Sequence, residues 1–201
     1  MARQVTSGRD GAEGRQDAGP TGDPGAGGEP GATHAAGTDL ADLTFRRPTE
    51  ADHPRVVGVI DDWWGDRRMR HLLPRLWLEH FSGTSWIVER PDGRLAGFVV
   101  AFVSQDDPAT GYVHMIAAEP SRRRRGLGRA LYERAFSDLA ARGARRVQAV
   151  TWPGNRISIA FHRRMGFRVD EGPGTQRLYG TPAHVDHDGP DEDRVVFIRD
   201  L

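Results

Sequence analysis

The stretch Arg122-Arg123-Arg124-Arg125-Gly126-Leu127-Gly128-Arg129-Ala130 constrains this chain more than any other. It closes an alternating apolar segment, Tyr112 to Ala118, and opens an amphipathic one, Leu127 to Leu139. Alternation reads as a strand and three-to-four spacing as a helix, so the chain must pass from one to the other through a basic, glycine-punctuated turn. Gly126 and Gly128 lack a Cβ, which lets the backbone turn sharply and approach another group closely. The first N–H groups of a helix have no partner within it, and the helix dipole adds positive charge there. Such an end suits an anion, phosphate above all, and guanidinium groups add charge-assisted contacts. The same residues also read as an ordinary strand-to-helix turn beside a solvated arginine face.

A second motif lies downstream, Asn155-Arg156-Ile157-Ser158-Ile159-Ala160-Phe161-His162-Arg163-Arg164-Met165-Gly166-Phe167. Together the two resemble the GNAT superfamily of N-acetyltransferases. Arg123-x-x-Gly126-x-Gly128 matches that family's Arg/Gln-x-x-Gly-x-Gly/Ala acyl-CoA loop, and Asn155 to Phe167 matches its later helix, which ends in a Gly-Phe pair. The resemblance covers residues 43–201 and is specific to the superfamily, not to a substrate.

Composition narrows the alternatives. Basic and acidic side chains balance at 28 each, so no global field argues for nucleic acid or an anionic membrane. The basic run is short and lacks interleaved aromatics, which sets nucleic-acid binding aside. Every one of the 28 basic residues is arginine. With no cysteine, disulfides, thiolate zinc sites and a cysteine nucleophile are excluded. No apolar run approaches the roughly 20 residues of a spanning helix. The first residues lead into no apolar core, so no secretory leader is expected and the expected compartment is the cytoplasm.

Residues 1–40 are dominated by Gly, Ala, Pro, Asp and Thr, and Val5 is almost their only large aliphatic before Leu40. Such a segment buries too little apolar surface to offset its ordering entropy, so a disordered tail is expected there. From Leu43 the texture changes. Leu43–Arg46 reads as a strand, and Thr49 as a cap for a helix through Val56, Val57 and Ile60. A further helix is expected over Arg67–Phe81, broken or kinked at Pro74. Ser85–Glu89 and Leu95–Val103 read as strands joined by the turn Pro91-Asp92-Gly93. Strands follow at Thr110–Ala118, Arg146–Thr151, Phe167–Val169 and Arg194–Arg199, with helices at Leu127–Arg142 and Asn155–Met165. Gly172–Asp193 reads as a polar, glycine-rich mobile excursion. The elements run β-α-α-β-β-β-α-β-α-β-β, an α/β (α+β) class. That order and count agree with the resembled family, and the resemblance implies a mixed, mostly antiparallel twisted sheet of six or seven strands flanked by four helices.

The resemblance implies a wedge for acyl-CoA between two splayed parallel strands, here Thr110–Ala118 and Arg146–Thr151. It implies pyrophosphate contacts from Arg123, Arg124, Arg125, Gly126, Leu127, Gly128 and Arg129, and pairing of the pantetheine arm with the main chain of Met115, Ile116 and Ala117. Asn155 would help hold the arm as well as cap its helix. The co-substrate is then acetyl-CoA or another acyl-CoA, with no metal. The reaction it implies is direct attack of a neutral primary amine on the thioester in a ternary complex.

Such a reaction needs a proton route, donors for the developing oxyanion and an acid for the thiolate. Many family members carry a tyrosine seven residues after the motif asparagine; here that position is His162, whose cation would protonate a thiolate readily. Its neighbours Arg156, Arg163 and Arg164 also allow a solvated flank, with Tyr112, Tyr132 and Tyr179 as alternative acids. His114 is a candidate base, two residues from Ile116 and so expected on the same face. Glu89, Glu119, Asp61 and Asp62 are others. The acceptor pocket implied for such a fold draws on Asp61, Asp62, Trp63, Trp64, Gly65 and Asp66, with Trp77, Phe81 and Trp152. Acids beside indoles suit a cationic amine, a small molecule or a peptide. They equally suit core tryptophans and helix-capping carboxylates. A homodimer fits the fold by analogy. A catalytically inactive acyl-CoA sensor of the same fold is the competing reading.

Overall fold

The computed structural model of the chain describes residues 40–65 and 67–201. The tail expected over residues 1–40 falls almost wholly outside them. Nine strands and four α-helices follow in order: β1 (Thr44–Arg46), α1 (His53–Trp63), α2 (Leu76–His80), β2 (Trp86–Glu89), β3 (Leu95–Val103), β4 (Thr110–Ala118), α3 (Leu127–Ala141), β5 (Arg146–Thr151), α4 (Arg156–Arg164), β6 (Arg168–Val169), β7 (Thr175–Leu178), β8 (Thr181–His184) and β9 (Val195–Asp200). Seven of the strands form one mixed sheet in the order β1-β2-β3-β4-β5-β9-β6. Every neighbouring pair is antiparallel except β4 and β5. No described helix is long and apolar enough to cross a membrane.

Helices cover both faces, which is why β3 is an unbroken apolar run. Val99, Ala101 and Val113 pack with Leu127, Leu131, Ala135 and Leu139 of α3 and Ile159 of α4. Phe98, Val100, Met115 and Ala117 face the other way, against Val56, Ile60 and Trp63 of α1 and Leu78 of α2. The i, i+4 spacing of Leu127, Leu131 and Ala135 is what lays α3 on the sheet. Burying each leucine side chain contributes about 1.5–3 kcal/mol.

Two expectations are refined. Arg67–Phe81 breaks at Pro74 as expected, but it is not α-helical throughout: a 3₁₀ turn at Arg70–Leu72 is followed, after Pro74, by the short α2. Proline cannot donate to the preceding turn and bars the residue before it from helical geometry. Gly172–Asp193 is not an unstructured excursion either. It holds the β7–β8 hairpin, and His184 and Arg194 bridge it to the start of β9. Ala183 of this hairpin is fully buried in the α3-side core.

Candidate active site

The parallel ladder between β4 and β5 is short. It runs from Thr110↔Arg146 to Val113↔Ala149, after which β4 continues to Ala118 and β5 to Thr151 without pairing to each other. The cause lies on the other side of β4. Val100 of β3 pairs with Met115 and Ala101 with Val113, which leaves His114 as an extra residue. Such a bulge bends its strand and increases the local twist. It also breaks the alternation of faces. Ile116 packs toward α3, whereas His114 stacks on Trp77 of α2, so the shared face expected for the two residues is not found. Met115 and Ala117 turn their side chains into the α1-side core. The β5-facing main chain of Met115–Ala117 has no ladder partner among the described residues.

Beyond Ala118 the chain makes a 3₁₀ turn at Pro120–Arg122 and then a tight loop. Arg124 has φ +63° and Gly126 φ +88°, a left-handed pair that curls the backbone just before α3. Gly126 is the N-cap and offers no side chain to the first-turn N–H groups. Gly128 has a packing role, because a Cβ there would lie 3.0 Å from the Phe161 ring on α4. Arg123 donates to the carbonyls of Ala118, at 3.3 Å, and of Trp63, tying the loop to β4 and α1. Arg123, Arg124, Arg125 and Arg129 are exposed around the turn, and Leu127 is buried. The loop thus combines a curled backbone, a 15-residue helix whose first turn has no side-chain cap, and exposed guanidiniums, features that suit an anion.

Asn155 is doubly engaged. Its Oδ1 accepts from the Ser158 N–H at 3.1 Å, capping α4, and its Nδ2 donates to Thr151 Oγ1 at 3.2 Å, fastening α4 to the end of β5. His162 is not on a solvated flank. It is buried and stacked on Phe197 at 4.3 Å. Its Nδ1–H donates to the Ser158 carbonyl at 2.8 Å, so Nε2 must accept from the Tyr132 hydroxyl at 2.7 Å. Burial pushes its pKa down to about 4. As placed here, the neutral ring has both nitrogens committed and no spare proton, a setting unlike the solvated one its arginine neighbours suggested.

Of the first-helix residues, Trp63, Trp64 and Asp61 make contacts that hold the fold. Trp63 is buried against Phe98, and Trp64 packs on the same ring. Asp61 accepts from the Met69 and Arg70 N–H groups at 2.7 and 3.0 Å and pairs with the Arg70 guanidinium at 2.7 Å. These bonds, the Met69 N–H first, hold its carboxyl below the usual range. Asp62 is exposed, and Asp66 lies outside the described residues. Glu89 is held by Arg46 and Arg55, and Glu119 by Arg90. Asp61, Glu89 and Glu119 are thus each paired with an arginine.

An aromatic wall forms instead from Trp77, Phe81, Phe102, Tyr112 and His114. The His114 Nε2–H donates to the Leu72 carbonyl at 2.7 Å, which leaves Nδ1 with its lone pair, and burial lowers the ring's pKa. Burial also pushes the Tyr112 phenol up to about 12, with the charge of Asp188 adding to it. Trp152 stands at the end of β5, half exposed, with Tyr179 of the β7–β8 turn against it at 5.2 Å. The sequence signal for that contact was Tyr179-Gly180, a two-residue turn between short strands. Among the described residues no group of three or more His, Asp or Glu side chains is arranged to hold a metal.

Comparison with known proteins places this architecture. Residues 43–167 match the profile described as the acetyltransferase (GNAT) family. The L-2,4-diaminobutyric acid acetyltransferase of Nocardia farcinica is 31% identical over 121 residues, which are 58% of this chain and 60% of that protein. The Streptomyces coelicolor protein of the same name is 30% identical over 163 residues, 78% of this chain and 92% of its own length. Diaminobutyrate acetyltransferase EctA from Paenibacillus lautus, solved with L-2,4-diaminobutyric acid and coenzyme A, shares the fold with a TM-score of 0.56 at 24% identity, over 78% of this chain and 93% of that one. With its parted β4–β5 pair, its glycine-bearing, arginine-rich loop before α3 and a family match across 43–167, the chain belongs to the acetyltransferase (GNAT) family, a family of N-acetyltransferases.

Proposed function

We propose that this chain transfers the acetyl group of acetyl-CoA to a primary amine of a small diamino acid. The observation that carries the reading is the parting of β4 from β5 after Val113↔Ala149, one loop away from the uncapped, arginine-ringed start of α3. The residues fit such a ligand, since the unpaired main chain of Met115–Ala117 suits a peptide-like arm and the loop suits a pyrophosphate. Acetyl-CoA supplies the activated thioester carbonyl. Main-chain N–H groups along Met115–Ala117 serve the developing oxyanion. His114, held as the neutral Nε2–H tautomer by Leu72, takes the ammonium proton on Nδ1. The departing thiolate takes its proton from water, since His162 is committed within the core. The relatives' printed acceptor, L-2,4-diaminobutyric acid, is the first to try.

Thiol release tests this directly, because the chain contains no cysteine and a thiol reagent detects only free CoA. Release that depends on acetyl-CoA and L-2,4-diaminobutyrate together is the expected result. One observation favours a second reading, a non-catalytic acyl-CoA-binding module: the residue at the family's usual tyrosine position is sequestered. Tight acetyl-CoA binding without release for any amine would establish that reading instead.

A further inference from the structure

The tip of the β7–β8 hairpin carries a residue that its turn disfavours. Leu178 pairs with Thr181, so Tyr179 and Gly180 are the two turn residues, with φ +49° and +81°. Such turns favour Asn, Asp or Gly, and a bulky side chain in the left-handed region is strained. The Tyr179 ring gains no burial in return, being 64% exposed. It leans instead on Trp152, itself 47% exposed, with the rings 5.2 Å apart and inclined at 55°. The Trp152 indole lies over Gly154, in the space a side chain there would need, since any Cβ would fall 2.0 Å from the ring. Arg177 braces the tip by donating to the Gly180 carbonyl at 3.0 Å, with the rest of its guanidinium exposed. Trp152 directly follows β5, the strand that parts from β4. Exposed aromatics held at the cost of backbone strain, beside the wedge, point to a ligand contact.

We propose that Trp152 and Tyr179 grip the aliphatic stem of the amine acceptor, and that Arg177 receives a carboxylate at its non-reacting end. The proposal rests on the acetyltransferase reading above and adds to it what the enzyme selects. Among the described residues the cation bonded to this turn is Arg177, which suits an anionic end group rather than a second ammonium there. The acceptor class is then an amino acid bearing a primary amine, preferred over its decarboxylated analogue.

The experiment compares Tyr179→Asn and Arg177→Gln with the wild type, using acetyl-CoA, L-2,4-diaminobutyrate and 1,3-diaminopropane. Tyr179→Asn should raise the KM for both amines about tenfold. It should leave the KM for acetyl-CoA unchanged and raise the melting temperature, because asparagine suits the turn. Arg177→Gln should erase the preference for the carboxylated amine. A Tyr179→Asn protein that melts higher yet keeps its amine KM would overturn the subsite alone. No thiol release from the wild type with any amine would bring down the acetyltransferase reading, and the subsite with it.

Discussion

The Tyr132 hydroxyl on α3 donates to Nε2 of His162 on α4 at 2.7 Å, inside the core. Tyr132 is fully buried, and the histidine ring lies nearly parallel to Phe197, at 5° and 4.3 Å. With the Ser158 carbonyl on Nδ1, the ring nitrogens and the phenol are all partnered, as buried polar atoms must be. The bond joins the two helices that carry the two sequence motifs. In this chain the motif position occupied by His162 fastens α4 to α3.

This arrangement makes stability depend on pH in a defined window. His162 is held near pKa 4 in the fold, against 6.5 when unfolded. Between those values the unfolded chain binds the extra proton, so stability is complete above pH 6.5 and falls as pH drops toward 4. The loss is on the order of 3 kcal/mol. Urea denaturation at pH 7 and pH 4.5 should show the fall in the wild type. His162→Gln cannot titrate and should flatten the slope; an unchanged slope would mean the ring is already protonated or solvated in the fold.

Gly126 can be tested separately from catalysis. At φ +88° a side chain is strained, and a carboxylate there would oppose the phosphate the loop is shaped for. Acetyl-CoA at 100 times its dissociation constant should stabilise the wild type by about 2.7 kcal/mol. Gly126→Glu should remove that shift in thermal unfolding while the unliganded protein still melts cooperatively. A full shift in this variant would move the cofactor away from the loop.

His114 predicts an acid limb in the rate profile. Burial lowers its pKa, so the neutral, proton-accepting ring persists below the usual histidine range. The acidic limb of kcat/KM should therefore have its midpoint below pH 6.5. His114→Gln keeps a donor for the Leu72 carbonyl and removes the base. It should cost about 10²–10⁴ in kcat with the KM for acetyl-CoA unchanged. If the limb survives in His114→Gln, the proton leaves by another route.

What the sequence disclosed and what it hid follow from the range of the forces involved. The Arg122–Ala130 turn and the face of α3 are local, set by glycine conformation and by the spacing of Leu127, Leu131 and Leu139, and they were readable. The unbroken apolar run of β3 and the alternation of β4 were readable as well. The extra residue at His114 was not, because a bulge is decided by registry with β3, 14 residues away at Val100. The burial of His162 was hidden by its arginine neighbours, which point outward on the other faces of the same helix while Phe197 and Tyr132 arrive from distant segments. The contacts of Asp61 with the Met69 and Arg70 N–H groups and of Trp63 with Phe98 were hidden too, because adjacent acids and indoles carry no sign of which way each faces.

The Arg46 cluster offers the last test. Its guanidinium donates to both oxygens of Asp52, at 2.8 and 2.7 Å, and to both of Glu89, at 2.9 and 2.7 Å. Asp52 is 2% exposed. Burial alone would raise its pKa, but the bonds from Arg46 and Thr49 outweigh it and bring the carboxyl down to about 2. Its contribution is therefore present above pH 3.8 and lost as pH falls through 2. Arg46→Met strands a buried carboxylate that keeps only Arg55 and Thr49, and should destabilise the fold by about 3 kcal/mol at neutral pH. Adding Asp52→Asn should then cost less than it does in the wild type, because the stranded charge is gone. Strict additivity in that double-mutant cycle would mean that β1 and α1 are joined by packing alone, with the ion cluster a passenger on their surface.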